Sequence, residues 1–144
     1  MSYIALERIT DKGISKMTKT LIIMITLYAS SFQAYGARFG RCTQSGVDKA
    51  PTSEYRACVQ RNFDLASSLL SGANLTKCIG KSSSVDFKEC VKNNFKTIEG
   101  KIRDTGGFIM LSDNCPNPNN RSSVVEQQFK NCITAGFNKL GNTL

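Results

Sequence analysis

The chain contains no histidine and no tryptophan, and only three of its 144 residues are proline. Without histidine there is no imidazole base, no Ser-His-Asp triad, no Cys-His dyad and no His-ligated metal. Closely spaced cysteines are missing too. The six stand at 42, 58, 78, 90, 115 and 132, and the nearest two are twelve residues apart, too far for the usual zinc motifs. Gly106-Gly107 lacks the Lys-Ser/Thr that completes a phosphate loop. The acidic residues are scattered, so no carboxylate pair of the glycosidase kind stands out. The chain therefore reads as a non-enzyme, with no catalytic residue, no metal and no cofactor.

Long apolar runs are also absent. The longest hydrophobic stretch is Leu21 to Ala29, well short of the ~20 residues that span a bilayer. It follows Lys19 and precedes the small, polar segment Ser30 to Gly36. That order matches the three regions of a secretory signal peptide, with Ala34 and Gly36 as the small residues before cleavage at Ala37. Residues 1–36 are read as this signal peptide, with Met17-Thr18-Lys19 as an alternative start. The protein is expected to be secreted and extracellular, with no transmembrane span after processing. Residues 37–144 then form a single secreted domain with a net charge of +6.

All six cysteines fall in that domain, an even set that predicts three disulfides. Internal similarity organises them. Tyr55-Arg56-Ala57-Cys58-Val59, Phe87-Lys88-Glu89-Cys90-Val91 and Phe129-Lys130-Asn131-Cys132-Ile133 share an aromatic three residues before Cys and a β-branched residue after it. Phe63, Phe95 and Phe137 follow at a common distance, then Ala66 and Leu70, Ile98 and Ile102, Leu140 and Leu144. These positions trace one face of an α-helix about four turns long. Ser123 with Glu126, and Ser83 with Asp86, have capping-box spacing, and Pro51-Thr52 marks the first start less cleanly. Gly72 and Gly106-Gly107 stand where a helix C-terminus places glycine.

The fold expected is an all-α, disulfide-stapled helical array of three repeats, about 42–77, 78–114 and 115–144. Each repeat is a Cys, a polar loop and a long helix. A short apolar piece precedes each leading Cys (Phe39, Leu75 and Phe108 to Leu111) and is read as a helical turn or short helix. Pairing within repeats gives 42–58, 78–90 and 115–132. The rival is pairing between repeats, such as 58–78 and 90–115. Phe108 to Leu111 reads as a buried connector, with an exposed patch for a lipid or partner as the alternative. Glu99 is expected to pair with Arg103 one helical turn on.

Positive charge is the remaining feature. Lys88, Lys92 and Lys96 stand four residues apart, with Lys101 and Arg103 beyond, a basic stripe beside the apolar one. Lys88, Lys92, Lys96 and Arg103 are the candidate residues for an anionic surface. An ordinary solvated helix face is the plain alternative. Asn74 and Asn120 head the sequons Asn-Leu-Thr and Asn-Arg-Ser and are candidate glycosylation sites. No aromatic-basic RNA motif occurs, so nucleic acid is not an expected partner. Two functions fit: a secreted, cationic, non-enzymatic binding protein or effector meeting a protein or an anionic surface, or an extracellular carrier of small apolar ligands or lipids held between the Phe-rich helices.

Overall fold

Three α-helices carry the fold of the computed structural model, which describes residues 38–144. Helix α1 spans Ser53–Leu69, α2 Ser84–Asp104 and α3 Ser123–Gly141, and no strand occurs among the described residues. The signal-peptide reading of residues 1–36 lies outside them.

Each helix starts on a hydroxyl. The side chains of Thr52, Ser83 and Ser122 accept from the backbone N–H of Tyr55, Asp86 and Val125. Each cap satisfies one of the four amides that a helix start leaves unpaired. The third cap lies one residue before the expected Ser123, and no capping box closes there. The Glu126 carboxylate meets the Lys88 ammonium instead, 2.7 Å away. With Ser122 as the cap, the box position falls on Val125, which has no carboxylate, and the Ser122 N–H is taken by the Asn120 side-chain oxygen. The buried Lys88 ammonium needs a protein partner, and Glu126 supplies it.

The apolar stripes meet in one core. Tyr55, Val59, Phe63 and Ala66 are buried with Phe87, Val91, Phe95, Ile98 and Ile102, and with Phe129, Ile133, Phe137 and Leu140. At its centre Phe63, Phe95 and Phe137 pack edge-to-face, with centroids 5.4, 5.1 and 5.3 Å apart. Such pairs contribute about 1 kcal/mol each beyond the area they bury. Phe39 stacks on Phe137 at 5.4 Å. Gly136 seats one of these rings, because a Cβ there would stand 2.7 Å from Phe95 Cζ. This close approach accounts for a glycine inside α3, where it costs about 1 kcal/mol in helix propensity.

The contacts make the helices parallel. Residues near the three N-termini touch one another (Arg56 with Phe87, Lys88 with Phe129, Lys130 with Tyr55). The three phenylalanines then meet at the next level. Parallel neighbours need connectors that travel back along a helix; α1, with 17 residues, is about 26 Å long at 1.5 Å per residue. Residues 70–83 and 105–122 make these returns, and 38–52 leads into α1; all three contain turns and bends but no helix. The helical turns expected before the leading cysteines do not form. Side chains take the backbone groups that a turn would use: Asn62 bonds both the N–H and the C=O of Gly40, and Asn94 does the same to Thr76, all at 2.8 Å.

Three disulfides fix the connectors to the helices: Cys42–Cys58, Cys78–Cys90 and Cys115–Cys132, with sequence separations of 16, 12 and 17. Loops of this size stabilise by about 3 kcal/mol each in the chain-entropy account. Among the described residues no helix is long and apolar enough to cross a membrane.

Candidate binding surface

The basic stripe of α2 does not survive as a continuous surface. Lys88 is fully buried, and its Nζ donates to Glu126 Oε1 and, at 2.9 Å, to the carbonyl of Asn120. Contrary to the expectation from sequence, it cannot meet an anionic surface, because its ammonium is enclosed and already paired. It follows Phe87 directly, at the edge of the apolar stripe, and in a three-helix core the flanks of a stripe are covered as well as its centre. Lys92 is half-buried and its Nζ lies 3.4 Å from the Cys115 carbonyl. Lys96 and Arg103 are exposed.

Lys88 has two counterparts. Arg56 and Lys130 also stand two residues before a helix cysteine, and each reaches a different connector. Arg56 donates to the carbonyls of Pro51 and Lys81 and lies 5.2 Å over the Phe87 ring. Lys88 Nζ stands 6.0 Å from the Phe129 ring. Lys130 Nζ donates to the carbonyls of Gly46, Val47 and Lys49 and stands 5.7 Å from the Tyr55 ring. The cation of α1 thus meets α2, that of α2 meets α3, and that of α3 returns to α1. Burial holds the Lys130 ammonium below the ordinary lysine range, while Glu126 and Asp48 push it back up. Burial also drives the Tyr55 phenol well above its ordinary range. Among the described residues the Tyr55 hydroxyl and Glu126 Oε2 have no hydrogen-bond partner.

The connector after α2 differs from the sequence expectation. Leu111 is buried, but Phe108 is 79% exposed and Met110 46%, so the run is not a buried connector as a whole. Its chain path is nevertheless fastened. Gly106 adopts φ +84°, and the N–H groups of Gly106 and Gly107 bond the carbonyls of Arg103 and Ile102. This is the Schellman close of a helix. Glu99 then accepts from the backbone N–H groups of Leu111 and Ser112 and from the Ser112 hydroxyl. The expected Glu99–Arg103 pair is absent, because these three donors already engage the carboxylate inside the fold.

Asn74 and Asn120 are both exposed on connectors, and the Asn120 side-chain oxygen accepts from the N–H of Ser122. Four surface grooves of about 430, 460, 520 and 620 Å³ lie between connectors and helices. None of the four is lined by a helix phenylalanine. The signal for the cations that reach the connectors is the shared basic residue two before each helix cysteine. The signal for the clamps was the shared Asn just before Phe63 and Phe95. Comparison with protein-family models, with curated proteins and with solved structures finds no match to the chain.

Proposed function

We propose that the chain is a secreted, cationic, non-enzymatic binding protein or effector that works from the outside of a disulfide-locked helical bundle. The observation that carries this reading is the mutual packing of Phe63, Phe95 and Phe137. The aromatic faces that a carrier would offer to a ligand are spent on one another, which leaves the outer surface for recognition. The surplus of positive charge favours anionic partners. Three disulfides suit an oxidising compartment, and the stretch Leu21 to Ala29 suits export. The bundle reads as three copies of one unit, about 42–77, 78–114 and 115–144. The matching cations at 56, 88 and 130 and the matching phenylalanines support this.

Mass spectrometry of protein collected from the medium of eukaryotic cells tests the reading. Cleavage before Ala37, loss of six hydrogens and a bare native mass are expected, together with salt-sensitive retention on heparin. Glycans on Asn74 or Asn120 would add mass that a glycosidase removes. A reproducible lipid-sized mass in the native spectrum alone would overturn the surface role in favour of an apolar carrier.

A further inference from the structure

We infer that the end of the bundle where the three helices finish is a docking face for an anionic phospholipid surface, with Phe108 as its inserting side chain. The inference deepens the cationic-surface reading and rests on it. Parallel packing gathers three helix C-termini at one end. There Phe108 is 79% exposed, and Met110 and Leu69 are each 46% exposed. The same end carries Lys101 and Arg103 in the last turn of α2 and Lys139 in the last turn of α3. Lys139 Nζ lies 3.3 Å from the Met110 carbonyl. Lys101 Nζ stands 3.7 Å from where a Cβ on Gly72 would be, just past the end of α1. Asp104 is the acidic residue in that turn of α2 and is outnumbered.

The segment that presents Phe108 is fastened on both sides, by the Schellman turn at Gly106 and Gly107 and by Glu99 on Leu111 and Ser112. Its exposure is set by hydrogen-bonded geometry. Leu111, three residues on, reaches the core, so the segment can bury a side chain where the geometry allows. A protruding ring among cations matches the boundary between headgroups and acyl chains, where phosphates meet the charges and the ring enters the apolar layer. A specific protein interface would ask for roughly 800 Å² of complementary surface on each partner.

The test uses the purified full chain and two kinds of vesicle, phosphatidylcholine alone and equal parts phosphatidylcholine and phosphatidylserine. Co-sedimentation only with the anionic vesicles, weakened by salt, is expected. Phe108→Ala should lower partitioning about tenfold. The triple variant Lys101→Gln, Arg103→Gln, Lys139→Gln should lower it ~100-fold, since each cation near an anionic surface contributes about fivefold. The chain has no tryptophan, so Phe108→Trp supplies a single reporter whose emission should shift to the blue on anionic vesicles. Equal binding to both vesicles, an unmoved F108W emission, or undiminished binding by F108A overturns the inference. Salt-sensitive heparin retention alongside any of these leaves the cationic-surface reading standing. Failure to bind heparin as well as vesicles removes both.

Discussion

The first two helices and the third fasten the chain ahead of them by different means. In α1 and α2 an asparagine four residues after the helix cysteine, Asn62 or Asn94, clamps the peptide two residues before the leading cysteine. In α3 the same position is Gly136, and the space holds the Phe95 ring. The third connector is held by Glu99, a carboxylate from the neighbouring helix. One task, pinning a connector beside its disulfide, is done by a local amide twice and by a borrowed charge once. Positions that match in sequence therefore need not match in chemistry. A core with three phenylalanines at one level left no room for a third amide.

Imposing the arrangement of the first helix on the third has the largest expected effect. Gly136→Asn drives a side chain into the Phe95 ring and should destabilise the fold by about 3 kcal/mol, read as a lower urea midpoint. Removing a native clamp comes next. Asn94→Ala leaves the N–H and C=O of Thr76 without their partner and should cost about 2 kcal/mol. Hydrogen exchange should quicken at Thr76 while Gly40, clamped by Asn62, keeps its protection; equal loss at both would refute independent clamps. Glu99→Gln retains an oxygen for the Leu111 and Ser112 amides but loses the charge. About 1 kcal/mol is expected, and a larger loss than for Asn94→Ala would reverse the ranking.

The smallest change concerns the head of each stripe, where α1 has Tyr55 and the others have Phe87 and Phe129. Tyr55→Phe removes a buried hydroxyl without a partner among the described residues and should stabilise by about 1 kcal/mol at neutral pH. It also has an alkaline signature. The folded chain holds the Tyr55 proton above the ordinary phenol range, whereas the unfolded chain releases it near pH 10. Above that pH the folded state binds more protons, so stability falls as pH rises. The Phe variant should lose that part of the decline, and identical melting profiles for the two chains above pH 10 would contradict it.

Helical class and disulfide linkage were legible because they depend on local spacing. Tyr55, Val59 and Phe63 declare a helix face, and an even cysteine set in a small chain declares bonds. The fate of Lys88 was less legible. Its partner Glu126 lies 38 residues away, and periodicity gives a face without saying how far its flanks are covered. The same holds for Glu99, since the donors that take it from Arg103 stand on another segment. Phe108 to Leu111 looked uniform as a run of apolar letters. The turn at Gly106 and Gly107, together with the hold of Glu99 on Leu111 and Ser112, decides that Leu111 points inward while Phe108 does not. The groups around any docking face thus depend on tertiary contacts that a one-dimensional pattern leaves open.

The cation contacts close on themselves, with Arg56 reaching the second connector, Lys88 the third and Lys130 the first. A chain held in this way resembles a necklace whose clasp can sit between any two beads. Phe39 already lies against Phe137, so the end of α3 and the strand of chain before Cys42 are neighbours. A few residues joining Leu144 to Arg38 would reproduce the kind of return that links α1 to α2. The chain could then be opened in either of the other two connectors and still place every cation over its ring. Such a circularly permuted protein would begin with a different helix and enclose the same core.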